Sequence, residues 1–170
     1  MLRRNVENGI PAAMRQLGFN YANGYLGLMP SHKKAARLYQ RTADLGDVIA
    51  MFNLGFAYEH GEGIKIDKKK AVKYYRMAAD RGHTGAQYNL GICYNRGDGV
   101  AQDYAEAMRF YKLAADKGLT HAEHNLGCMY LKGEGVTRDF AEFARWCERA
   151  AAKGHKGAKR ALTRIMSLGF

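Results

Sequence analysis

Ala50, Leu54 and Tyr58 follow one another at intervals of four, and the same letters return as Ala86, Leu90, Tyr94 and as Ala122, Leu126, Tyr130. Apolar residues at that interval form one stripe on a helix, so each triplet predicts a helix with a single buried face. A second apolar set trails each triplet: Ala71, Tyr74-Tyr75 and Ala78-Ala79, then Ala107, Phe110-Tyr111 and Ala114-Ala115, then Trp146-Cys147 and Ala150-Ala151. These predict three further helices, ending at Gly82, Gly118 and Gly154. The two sets are separated by Gly-Glu-Gly at 61–63, Gly-Asp-Gly at 97–99 and Gly-Glu-Gly at 133–135, where glycine stops a helix cheaply in the left-handed conformation. Ile64, Val100 and Val136 then tuck each loop onto the core.

Local chemistry supports the same boundaries. Asp67, Asp103 and Asp139, with Ser31 in an earlier copy, stand where a second-helix N-cap belongs, and Glu106 and Glu142 follow two of them at capping-box spacing. Thr84 with Gln87 and Thr120 with Glu123 have that spacing at the start of first helices. A glycine inside a helix costs about 1 kcal/mol against alanine, so Gly18, Gly55, Gly91 and Gly127 require a compensating close approach. Ala35, Ala71 and Ala107 on the second helices are the expected contacts.

The repeat length is 36 residues, with one extra residue in the first copy. A helix pair repeated at this length predicts an all-α solenoid. The stretch AQYNLGICYNRGDGVAQDYAEAMRFYKLAADKG resembles a Sel1-like repeat, a relative of the tetratricopeptide repeat with a longer interhelical loop. The resemblance implies a right-handed superhelix of helix-turn-helix units with first helices on the concave side, and a role as adaptor rather than catalyst. The expected organisation is one solenoid domain over 1–170. Its repeats lie at about 12–47, 48–83, 84–119 and 120–155, with a partial helix at 1–9 and a capping helix at 157–170.

Two copies depart from the pattern. The first carries Gly-Tyr-Leu-Gly-Leu-Met-Pro at 24–30 instead of a tight turn, and its apolar residues are expected to pack over the end of the stack rather than to serve as a docking knob. The fourth has Phe143 where alanine is expected, which predicts a rotated or shifted helix. Val6-Glu7-Asn8-Gly9 aligns with the end of a second helix whose beginning is missing, so the chain reads as a piece of a longer array.

If the invariant letters build the scaffold, the variable ones carry function. By analogy with tetratricopeptide relatives, the third place of each first helix faces the groove: Arg15, Phe52, Tyr88 and His124, with Arg160 in the cap. So does the seventh: Phe19, Phe56, Ile92 and Cys128. The last two places supply Ala22-Asn23, Glu59-His60, Asn95-Arg96 and Leu131-Lys132. Aromatic residues in the middle and Arg15, Arg96 and Lys132 beside them suit a peptide groove, since aromatics and arginine concentrate binding energy. The opposing expectation is that several of these rings fill the interior against neighbouring repeats.

Charge changes the picture at one end. The chain has 27 Lys+Arg against 16 Asp+Glu, which favours an acidic partner. Arg145, Arg149, Lys153, Lys156, Lys159, Arg160 and Arg164 face only Glu148 in the last helices. That basic end admits two alternatives to groove binding: docking as an inhibitor or immunity-type subunit, and binding of nucleic acid or an anionic membrane through 145–164. The groove letters follow no pattern that suggests a nucleotide code, so protein binding leads.

Chemistry beyond binding finds little footing. The Gly-x-Gly turns do not match GxxxxGK[ST] and follow no predicted strand. His121 and His124 share a helix face with Cys128, yet no further ligand at a known spacing accompanies them, and nothing supplies an oxyanion site. No metal or cofactor is expected. Cys93, Cys128 and Cys147 form no CxxC and read as buried thiols. No apolar run reaches the roughly 18–20 residues of a membrane span, and the start lacks a signal-peptide core. The cytoplasm is expected, unless an upstream signal precedes the chain; oligomeric state is left open.

Overall fold

The computed structural model describes residues 2–167, with side chains from residue 5 onward. Among the described residues regular structure is helical throughout: α1 Leu2–Glu7, α2 Pro11–Asn23, a short 3₁₀ turn Tyr25–Gly27, α3 His32–Asp44, α4 Val48–His60, α5 Lys68–Ala79, α6 Thr84–Arg96, α7 Tyr104–Asp116, α8 Thr120–Lys132, α9 Phe140–Ala152 and α10 Lys156–Met166. Residues 168–170, the last of the expected capping helix, lie outside the described residues, as does Met1. Contacts divide the chain into two compact units, Met1–Ala86 and Gln87–Phe170, with the cut in the first turn of α6.

In the first unit α2 pairs with α3 and α4 with α5. Ala50, Met51, Leu54 and Ala57 of α4 are buried against Ala71, Val72, Tyr75 and Ala78 of α5. The glycine in each first helix does mark a close approach, but the expected partner needs correcting. A Cβ at Gly55 would come 2.7 Å from the Tyr75 ring and 3.3 Å from the Ala71 carbonyl oxygen, and one at Gly18 would come 2.8 Å from the Tyr39 ring. The glycine therefore seats an aromatic ring one turn beyond the alanine. Burying a side chain of that size contributes about 1.5–3 kcal/mol, which exceeds the roughly 1 kcal/mol helix penalty. The Tyr75 hydroxyl still donates to Glu59 Oε2 at 2.6 Å, so the buried ring leaves no polar atom stranded. Tyr39 is held by the same packing, and burial pushes its phenol up to about 12.

In the second unit α7 packs on α8, α8 on α9, and α9 on α10. Gly91 accommodates the Tyr111 ring, where a Cβ would stand 2.5 Å away. The fourth repeat differs by an exchange of size rather than by the expected shift. Phe143 takes the alanine place and Cys147 the tyrosine place, and a Cβ at Gly127 would lie 2.7 Å from Cys147 Sγ and 3.2 Å from the Phe143 carbonyl oxygen. The bulk has moved one turn along α9. There Phe143, Cys147, Ala150 and Ala158 form a cluster flanked by Leu162 and Ile165 of α10.

The second-helix caps are as expected. The Lys70, Glu106 and Ala141 backbone N–H groups donate to Asp67, Asp103 and Asp139 at 3.0, 3.0 and 2.8 Å, and Lys34 N–H donates to Ser31. The first-helix caps lie one residue before the threonines assigned from sequence. Ala50 N–H donates to Asp47 at 2.8 Å, while Ala86 and Ala158 N–H donate to Nδ1 of His83 and His155, both at 3.1 Å. Leu119 stands at the cap position before α8 and gives no side-chain cap. Glu123 is accordingly no capping-box partner. It is fully buried, and Arg149 and Lys153 reach it at 3.1 and 2.8 Å.

The 24–30 segment also departs from expectation, because it does not pack down. Tyr25, Leu26 and Met29 are 53%, 79% and 84% exposed. Gly24 caps α2 in the left-handed conformation at φ 69°, and Leu26 lies there too at φ 58°. Counted from the cap, Leu26 occupies the place that Gly63 and Gly135 hold in later repeats. A left-handed backbone costs an L-residue roughly 1–2 kcal/mol, so this leucine is kept at a cost.

Candidate protein-binding site

The third-place residues sort into a structural rule. Arg15 Nε donates to Asp47 at 3.1 Å, the Phe52 ring stacks on His83 at 4.5 Å between centroids, and the His124 ring lies 4.7 Å from His155. Asp47, His83 and His155 are the caps of α4, α6 and α10. Three of the four third-place side chains thus brace the residue that starts the next first helix. Tyr88, the fourth, lies 5.8 Å from Tyr111 and 6.2 Å from His121. The variable letters at this place hold neighbouring hairpins together, a role that emerges from the matching Arg/Asp, Phe/His and His/His pairs 31 or 32 residues apart.

The seventh-place residues are more open. In the first unit Phe19 and Phe56 are exposed; Phe19 lies 5.7 Å from Tyr25 and Phe56 stacks on His60 at 4.0 Å. In the second unit Ile92 and Cys128 are half-buried and line a cleft of about 310 Å³ with Tyr88, Arg96, Asn125 and Lys132. Glu134 is the carboxylate on its rim, 3.4 Å from the Lys132 ammonium. A wider cleft of about 670 Å³ continues between α8 and α10, lined by Leu131, Lys132, Arg138, Arg160, Arg164 and Ile165. The structure therefore brings Tyr88, Ile92, Arg96 and Lys132 together. His124 stands beside this set, toward His155.

The basic end divides in two. Arg145 pairs with Glu142 at 2.8 Å, and Arg149 and Lys153 are both engaged by Glu123. Arg149 also lies over the Trp146 ring at 4.6 Å, beside a separate cleft of about 580 Å³ on the second helices that includes Met108 and Lys112. Nothing in the sequence pattern singled out that cleft, since Trp146 reads there as core. Lys156, Lys159, Arg160 and Arg164 remain exposed on α10.

His121 lies 4.8 Å from His155 between ring centroids, and Cys128 Sγ lies 3.7 Å from His124 Nε2. Burial, with His155 and His121 nearby, holds His124 below the usual histidine range, and burial with His121 does the same for His155. Burial pushes the Cys128 thiol up, which keeps it protonated rather than nucleophilic. Among the described residues no group of three His, Cys, Asp or Glu side chains has the arrangement of a metal site, and no helix is long and apolar enough to cross a membrane.

These features define a helical-hairpin repeat scaffold, with framework letters in its core and clefts along its first helices. The Sel1 repeat family matches residues 11–47, 48–83, 84–119 and 120–155, and the chain belongs to that family. A protective antigen of uropathogenic Escherichia coli displaying an SLR fold is 36% identical, with TM-score 0.96 over 99% of this chain and 36% of that one. A Sel1 repeat protein from Oxalobacter formigenes is 33% identical, with TM-score 0.87 over 94% of this chain and 64% of that one. An immunity protein of Pseudomonas aeruginosa, 24% identical with TM-score 0.58 over 92% of this chain and 58% of that one, shares the fold. The chain thus spans less than two thirds of each relative's length. No curated protein matches it. The fold class is an α-solenoid of Sel1-like repeats, an architecture that typically serves as a protein-interaction scaffold.

Proposed function

We propose that this chain is a non-enzymatic binding module that holds an acidic, partly apolar protein segment along its first helices, most directly in the clefts of the second unit. The observation that carries this reading is the lining of those clefts. Tyr88, Ile92, Leu131 and Ile165 give an apolar floor, while Arg96, Lys132, Arg138, Arg160 and Arg164 stand around it against the single carboxylate of Glu134. An amphipathic acidic segment satisfies both, burying its apolar face and meeting the cations at the rim, where charge mainly sets on-rate and partner choice.

The inhibitor or immunity-type alternative and the nucleic-acid or anionic-membrane alternative both draw on 145–164. Arg145, Arg149 and Lys153 are already paired within the chain, which leaves those readings the exposed cations of α10. A fluorescein-labelled acidic amphipathic peptide of alternating Glu and Leu character tests the main reading by anisotropy. Arg96→Ser with Lys132→Ser and Arg164→Ser should weaken binding by about tenfold or more, in line with arginine hot spots, without altering the circular dichroism. Undiminished binding by the triple variant would contradict the assignment.

A further inference from the structure

We infer that the 24–30 segment is an anionic-lipid contact: Tyr25, Leu26 and Met29 form an apolar tip that enters a membrane interface, steadied by Lys33 and Lys34. The argument begins with the place Leu26 occupies. At the equivalent places a Cβ on Gly63 would overlap the His32 backbone carbonyl, and one on Gly135 would lie 2.7 Å from the Tyr104 carbonyl carbon. His32 and Tyr104 each begin the second helix of the preceding repeat. Glycine is what lets one hairpin close on the next, and Leu26 bars any further repeat from packing there in the same manner. A repeat stacked in the same register would therefore meet the Leu26 side chain at this tip.

The chemistry of the tip narrows the choice. Leu26 and Met29 are the most exposed large apolar side chains among the described residues, and Tyr25 stands beside them, its ring against Phe19. They form a projection, whereas a protein partner would have to offer a matching pocket; a fluid interface opens around a projection of any shape. An aromatic with two aliphatic side chains and adjacent lysines is the composition that interfacial segments use. Residues 8–43 contain no Asp or Glu and five Lys or Arg, namely Arg15, Lys33, Lys34, Arg37 and Arg41. Lys33 and Lys34 are exposed directly after the tip, with the Lys34 ammonium 5.0 Å from the Tyr21 ring. Ion-pair geometry places two acids beside this stretch, Asp47 3.1 Å from Arg15 Nε and Glu62 3.7 Å from the His32 ring. Basic side chains at such a surface are drawn to anionic headgroups and released by salt.

Cosedimentation with vesicles tests this, using phosphatidylcholine alone and phosphatidylcholine with about one third phosphatidylglycerol. The protein should sediment with the anionic vesicles and not the neutral ones. Leu26→Gly with Met29→Ser should reduce the partition coefficient about tenfold, as expected from removing apolar side chains from an interface. Because glycine is the residue of the other repeats, this variant should melt no lower than the parent. Lys33→Gln with Lys34→Gln should lower the coefficient as well, several-fold. Failure to sediment with either vesicle overturns the inference, as does loss on the lysine changes alone, which would be plain electrostatic adsorption. Loss of acidic-peptide binding by the tip variant, with no vesicle binding by the parent, would assign the tip to a protein partner instead.

Discussion

Repeats two and four share a framework and fill it differently. In repeat two the α4 glycine seats Tyr75 and the alanine place stays small; in repeat four Phe143 fills the alanine place and Cys147 the tyrosine place. At their ends His83 and His155 make the same 3.1 Å hydrogen bond to the following helix. The first is stacked on Phe52, while the second lies against His124 and His121. The comparison teaches that these two repeats share the total bulk of the pair and a histidine acceptor at the next helix, whereas Leu119 after repeat three offers no side-chain cap. It also shows that the shared histidine meets a phenyl ring in one repeat and two imidazoles in the other.

The largest effect should come from breaking the volume exchange. Phe143→Ala should cost about 3–5 kcal/mol as a large-to-small change in a buried cluster. Adding Cys147→Tyr restores the pattern of repeats one to three and should recover a substantial part, measured by denaturant unfolding. A double variant no more stable than Phe143→Ala would mean the exchange is not compensatory. Next in size is the carboxylate that repeat four buries. Arg149→Met with Lys153→Met leaves Glu123 buried without a cation and should cost about 2–4 kcal/mol at neutral pH, below the full penalty for a broken buried pair because both cations are partly exposed. Raising the salt should mimic little of this loss, since Glu123 is out of water.

The smallest effect concerns the histidine cap of α10. His155 accepts a hydrogen bond through Nδ1, which it cannot do once protonated there, and its pKa is held below the ordinary value. The folded state thus disfavours the charged form. The contribution of this cap is complete above the unfolded value of about 6.5 and is lost as pH falls through the folded value. Losing a cap costs about 1 kcal/mol. His155→Asn keeps an acceptor without a titration, and His124→Phe gives repeat four the letter of repeat two. Both should flatten the dependence of Tm on pH in this window, and an unchanged slope in both variants would contradict the account.

The helices and the second-helix caps were legible because four-residue spacing, Asp at the caps and glycine at the stops each carry a local cause. What escaped depends on contacts across the repeat. The partner of Gly55 lies one turn past the alanine that spacing suggested. The first-helix caps turned out to be Asp47, His83 and His155, because a capping box at Thr84 or Thr120 is indistinguishable in sequence from the first helical residue. Cap bracing by Arg15, Phe52 and His124 is visible only when pairs about 31 residues apart are compared. Of the candidate groove, Tyr88, Ile92, Arg96 and Lys132 do share a cleft. Arg149 and Lys153 are engaged in ion pairs because Glu123, which reads in sequence as a capping residue, is buried beneath them.

The central claim is that a guest meets the first helices while the second helices support them. An amide NMR titration of the protein with the acidic amphipathic peptide tests it most directly. Shifts concentrated at Tyr88, Ile92, Arg96, Asn125, Cys128, Lys132 and Ile165 are the predicted result. Shifts centred instead on the second-helix cleft at Met108, Lys112 and Trp146 would contradict it.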